Sequence, residues 1–212
     1  MKKVLGGIAG ILVLGLVGVA GAAMTQPDVV HVERSVTMSA TVGDVFPLAN
    51  DYTQFAKWMP WAELDPNQTV TISDPPAGVD AWYAWKGNSD VGSGKMTHTG
   101  VIENAEIKQH LEFFEPFESE AEVTFTFVPV NDGVAVTWAF DQQADFPSKV
   151  MGLFMDMDAM LGADFERGLS KLQPLAEAQA VARAETHRLA ALEAEKQAAD
   201  LAAEEAATAS AE

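Results

Sequence analysis

Between Phe146 and Leu175 the apolar residues Val150, Leu153, Phe154, Met157, Leu161, Phe165, Leu169 and Leu172 recur at intervals of three and four, which puts them on one face of a helix. Asp145 is placed to cap that helix, Pro147 falls in its first turn, and Pro174 marks a stop or a kink. A stripe of this length must lie against a large apolar surface, because a lone helix does not recover the entropy lost in ordering its backbone. Gly168 sits in mid-stripe, where glycine costs about 1 kcal/mol relative to alanine. It predicts a close approach of the helix to whatever it packs on.

Upstream the period falls to two. Val29–Ser39 alternates in part, and Thr69–Ile72, the aromatic run Asp80–Gly87, Gly94–Glu103 and His110–Phe114 all read as strands. Glu122–Phe127 alternates cleanly, as do Val134, Val136, Trp138 and Phe140, and Asn131-Asp132-Gly133 between them is a strong hairpin signal. Thr41–Asn50 and Asp51–Trp58 read as two short helices, the second ending before Pro60. These are antiparallel strands with one wet and one buried face, and the buried face is where the helix stripe belongs.

The two ends of the chain differ from this middle. Val4–Ala23 contains no polar side chain; as a helix it spans about 30 Å, enough to cross a bilayer. Lys2 and Lys3 ahead of it would stay cytoplasmic. The competing reading is a cleaved signal peptide, since Ala20-Gly21-Ala22 fits a small-x-small pattern. Either way residues 29–175 are a domain facing the periplasm or cell exterior, with residues 1–24 as a single-pass anchor in the cytoplasmic (inner) membrane under the first reading. Residues 176–212 are Ala- and Glu-rich with high helix propensity but no sustained heptad, which predicts a solvated helical or disordered tail.

Charge and composition narrow the partners. The formal net charge of −18 leaves no basic stripe for phosphates, which excludes nucleic acid as a partner class. The chain has no cysteine, so thiolate and disulfide chemistry are absent. Its four histidines, His31, His98, His110 and His187, show no metal-ligand spacing. No serine has a nucleophile-elbow context, and Gly92 and Gly94 open a strand rather than a helix, so they do not form a phosphate loop. No metal or cofactor is expected.

The segments VERSVTMSATVGDVFPLANDYTQFAKWMPW, LDP, YAWKGNSDVGSGKM and MGLFMDMDAMLGADFERGL, spread over Val32–Leu172, resemble the SRPBCC (START-like) superfamily in its polyketide cyclase/dehydrase and lipid-transport branch. Trp85, Gly87 and Asn88, with Gly92 and Gly94, are similar to a membrane-tethered subgroup. Two positions depart from it: Met59 stands where similar proteins often carry Ser, and Glu115 where a basic residue is common. The resemblance implies an α+β helix-grip fold, a curved antiparallel sheet wrapped around a long C-terminal helix, here with an N-terminal transmembrane helix. It also implies a deep cavity between sheet and helix for apolar or amphipathic small molecules.

Candidate residues follow. Aromatic walls suit a hydrophobic ligand and equally suit a core; the candidates are Trp58, Trp61, Tyr83, Trp85 and Trp138, while Trp82 and Trp85 fall on opposite faces of one strand. Met151, Met155, Met157 and Met160, next to Phe154, suit an adaptable binding wall or a gap-filled core. Asp158 projects between Phe154 and Leu169 in the apolar arc, so its carboxylate needs a partner, water or ligand; the indole N–H of Trp58 or Trp61 is one candidate. His98 lies on a strand and is placed either in the core or toward the cavity. The expected function is binding of a hydrophobic small molecule or lipid. The alternatives are a cyclase- or dehydratase-like enzyme using Asp158 or His98 as acid/base, and an envelope protein-interaction module with the tail as contact.

Overall fold

The computed structural model describes residues 17–209, with side chains through residue 203. The alternating segments become β1 (Val29–Met38), β2 (Thr69–Ile72), β3 (Trp82–Lys86), β4 (Ser93–Ile102), β5 (Glu106–Glu115), β6 (Ser119–Val130) and β7 (Gly133–Gln143). They form one curved sheet in the order β1-β7-β6-β5-β4-β3-β2, antiparallel throughout. Val130 pairs with Gly133, so Asn131 and Asp132 make the two-residue hairpin turn that the sequence signals.

The helices are α1 (Val42–Asn50), α2 (Tyr52–Phe55), α3 (Phe146–Met151) and α4 (Met157–Ala209), with a 3-10 turn at Pro60–Glu63. Phe165, Leu169 and Leu172 of α4 are buried against the inner face of the sheet. Gly168 explains itself: a Cβ there would lie 2.8 Å from the Trp138 ring and 3.2 Å from Pro60. The helix sits that close because the residue has no side chain. The fold is α+β, with a seven-stranded curved antiparallel sheet and a long C-terminal helix.

The expected unbroken helix over Phe146–Leu175 is two helices. α3 stops at Gly152, and α4 restarts after Asp156, whose carboxylate accepts the backbone N–H of Ala159 at 3.0 Å. Phe154, in the connection, is therefore exposed rather than part of the buried stripe, and so are Met151, Met155 and Met160. Pro174 does not end α4. The chain beyond it is held down: Ala176 is fully buried, and Arg183 donates to both carboxylate oxygens of Asp44 on α1 at 2.8 and 3.0 Å. The side chains of residues 184–203 are all exposed.

The predicted transmembrane helix, Val4–Ala23, lies outside the described residues through residue 16; residues 17–23 are helical. Among the described residues no helix is long and apolar enough to cross a membrane.

Candidate functional site

The inner face of the sheet has two halves. In one, α1 and α2 press Tyr52, Phe55 and Trp58 onto the strands, and all three are fully buried. In the other, the 3-10 turn and the start of α4 stand off, leaving a chamber of about 200 Å³. Its floor is Met96, Leu111, Phe113, Val123, Trp138 and Phe140; its roof is Met59, Trp61, Leu161 and Phe165. Trp85 closes one side, and Gly94 makes room for it: a Cβ at residue 94 would lie 2.5 Å from the Trp85 ring. Trp138 and Phe165 stack nearly parallel, with ring centres 4.1 Å apart and planes 8° apart, so β7 and α4 meet across the chamber wall.

The mouth lies where the lining side chains reach solvent, at Trp61, Ala62, Gln68, Asp90 and Leu161. Two loops frame it, and one buried carboxylate joins them. Asp65 accepts the backbone N–H of Asn67 at 3.0 Å and that of Asn88 at 2.7 Å, while the Asn88 side chain donates to the Leu64 carbonyl at 3.3 Å. Asp65 comes from the LDP segment and Asn88 from the Trp-x-Gly-Asn element, so two motifs that carry the family resemblance build the rim. Sequence reasoning missed Asp65 itself; its signal was an acidic residue in LDP facing a Gly-Asn turn.

The polar inventory of the chamber is short. The indole N–H groups of Trp58, Trp61 and Trp85 are satisfied, by the Leu48 carbonyl at 2.8 Å, by Asp164 at 2.7 Å and by the Val91 carbonyl at 3.0 Å. The Trp138 Nε1–H, buried in the chamber wall, has no partner. A buried donor left this way costs about 1–3 kcal/mol.

The sequence-selected residues divide. Trp61, Trp85 and Trp138 line the chamber. Trp58 and Tyr83 are core: Trp58 packs edge-on to Phe55, Phe125 and Trp138, and Tyr83 against Tyr52 and Phe55, where burial pushes its hydroxyl up to about 12. Trp82 faces away, with the Lys95 ammonium 5.4 Å from its ring centre. His98 is fully buried but does not line the chamber. Its ring stacks on Tyr52 at 4.4 Å, and its Nδ1 meets the Gly78 carbonyl at 3.1 Å. A carbonyl only accepts, so Nδ1 carries the proton and Nε2 is a bare acceptor with no partner. Burial pushes this ring down to about 4, so it is neutral near pH 7. Gln109, cross-strand from His98, and the Tyr52 hydroxyl are also buried without partners among the described residues, giving a polar layer on the same face of the sheet beside the chamber floor.

Asp158 is not in the apolar arc. It is exposed and bonded neither to Trp58 nor to Trp61; both of its oxygens accept from Arg34 on β1, at 2.9 and 3.0 Å, and this guanidinium lowers its carboxyl below the usual range. Arg34 also reaches Glu166 at 2.9 Å, so it ties the first three turns of α4 to the sheet edge. The reason is helical phase: after the break at residues 152–156, Met157 and Asp158 start a new helix and no longer continue the line of Phe154. Phe154, Met157 and Asp158 instead line a surface groove of about 770 Å³ with Gln26, Pro27, Val30 and Lys149.

A family model described as polyketide cyclase/dehydrase and lipid transport matches residues 29–177. The chain belongs to that family. The matched span begins at β1 and ends three residues past Pro174, so it contains every residue of the chamber wall. Among solved structures, a protein from Chromobacterium violaceum is similar at 15% identity and a TM-score of 0.51, over 72% of this chain and 99% of that one. A protein from Rhizobium leguminosarum is similar at 15% identity and a TM-score of 0.51, over 71% and 95%. The di-domain ARO/CYC StfQ of the steffimycin biosynthetic pathway is similar at 12% identity and a TM-score of 0.52, over 72% of this chain and 52% of its own. At these identities the likeness shows the fold. No curated protein matches the chain.

Proposed function

We propose that the protein binds a small hydrophobic molecule, or the apolar end of a lipid, in the chamber between α4 and the sheet, and that its apolar N-terminal segment holds it at the outer face of the cytoplasmic membrane. One observation carries the reading: a space of about 200 Å³ between α4 and the sheet, walled by Trp61, Trp85, Trp138 and Phe165. Family membership supports it, since the family description includes lipid transport. A cavity of about 150 Å³ lined by Leu, Ile and Phe binds benzene. A chamber of about 200 Å³ therefore takes one ring with a short substituent, or a short length of acyl chain. Tethering raises the effective concentration of the domain near lipid-derived ligands.

A cyclase-like reaction would need convergent acid and base groups in the chamber. The two candidates, His98 and Asp158, do not line it. Native mass spectrometry of the purified chain tests the binding reading. An added mass that leaves on organic extraction and identifies as a lipid or aromatic compound is expected. A chain that carries no added mass and takes up none when offered total lipid extract would contradict it.

A further inference from the structure

α3, the connection and the first turn of α4 carry a set of large apolar side chains that the other described residues leave exposed. Phe154 is 76% exposed, and Phe146, Met151 and Met160 are each about half exposed or more. Phe154 lines, with Leu153, Met155 and Met157, a groove of about 770 Å³ whose other wall is Gln26, Pro27, Val29 and Val30. That wall is the stretch of chain immediately after the apolar segment Val4–Ala23, and Met24, between the two, is 78% exposed. The lobe and the end of the apolar segment are therefore on the same side of the domain. Leu161, at the chamber mouth, lies one helical turn, about 5.4 Å, beyond Met157 in the groove.

We propose that the lobe formed by Phe146, Met151, Phe154, Met155 and Met160 inserts into the interfacial region of the bilayer that holds the N-terminal segment, and sets the chamber mouth toward lipid. An exposed apolar cluster of this kind marks an interaction surface. Its position selects a membrane plane because the chain that forms the groove's other wall, Gln26–Val30, follows closely on a run of twenty apolar residues. Its charges select the lipid. Lys149 is paired with Asp28, and Arg34 with Asp158 and Glu166, so no free cation faces the groove among the described residues. With a formal net charge of −18, the attraction is to zwitterionic headgroups and acyl chains and is insensitive to salt.

The inference rests on the tether of the proposed function, and the test separates the two. The chain lacks cysteine, so a single nitroxide reports one place. The full chain carrying Phe154→Cys is labelled and reconstituted in phosphatidylcholine vesicles. The control is Asn131→Cys in the β6–β7 turn, at the far end of β1 and β7, roughly 30 Å away along the strands. The expected result is several-fold more collision with oxygen than with a water-soluble nickel chelate at residue 154, and the reverse at residue 131, unchanged in 0.5 M salt as an approximate upper condition. Strong nickel access at residue 154 in chains that resist carbonate extraction would overturn the lobe contact and leave the tether. Low access to both reagents at residue 154 would mean that protein covers the lobe and would overturn it too. Release of the chain by carbonate would overturn the tether and, with it, this contact.

Discussion

Two neighbouring rungs of the same strand pair behave in opposite ways. Met96 pairs with Leu111 on β4 and β5 and forms the floor of an open chamber; His98 pairs with Gln109, one inward position further on, and lies under a sealed aromatic layer. The apolar rung borders open space, whereas the polar rung is closed over, with His98 Nε2 and the Gln109 amide lacking a partner among the described residues. The difference is made by what is laid on the sheet. α1 and α2 set Tyr52, Phe55 and Trp58 directly on the strands, while the 3-10 turn and α4 bridge over with Trp61, Leu161 and Phe165. Polarity of the side chains thus does not mark the binding half of such a sheet; the stand-off of the covering elements does.

The comparison breaks most severely at the wall between the halves. Phe165→Ala removes the ring stacked on Trp138 at 4.1 Å and is expected to lower stability by about 3–5 kcal/mol in urea unfolding. A loss under about 1 kcal/mol would mean that α4 is not held to the sheet through this contact.

The sealed half is expected to respond to pH. The ordinary value of the His98 ring is 6.5, and burial pushes it down to about 4. Between those values the unfolded chain binds a proton that the folded chain excludes. The contribution is fully present above pH 6.5 and lost as the pH falls toward 4, an amount on the order of 3 kcal/mol. His98→Phe should flatten that part of the profile, read as the difference between the two chains in urea midpoint at pH 7 and pH 4.5. Parallel profiles would place the ring in contact with water.

The smallest effect compares the halves by added volume. Ile107→Phe puts extra carbon into the sealed half, where Ile107 is fully buried, and is expected to cost about 1–3 kcal/mol. Val123→Phe puts similar volume into the chamber wall and is expected to leave the melting temperature within experimental scatter. Equal losses would mean that the chamber is as closely packed as the core.

The strands were legible from alternation, which also assigned Trp82 and Trp85 to opposite faces. The close approach at Gly168 was legible because a glycine inside an apolar stripe has few other uses. The break at residues 152–156 was not, since Phe154 and Met157 satisfy helical spacing and only the capping carboxylate of Asp156 resets the phase. That one reset moved Phe154, Met157 and Asp158 from the expected pocket to the outer groove. Continuation of α4 past Pro174 was hidden for a different reason: the Asp44–Arg183 pair that secures it joins residues 139 apart in sequence. The chamber was expected from the resemblance alone; the residues did not mark it, because tryptophan fills a core and lines a cavity with the same residue pattern.

Trp61, Trp85 and Trp138 all face the chamber, so intrinsic fluorescence reports its occupancy directly. Titration with 4-ethylphenol, one ring with a short substituent, is expected to give a saturable change in the native chain. In Val123→Phe the same titration should weaken by about tenfold or more, equivalent to about 1.4 kcal/mol, at unchanged melting temperature. An identical response in both chains, or no saturable response in the native one, would contradict a ligand chamber between α4 and the sheet.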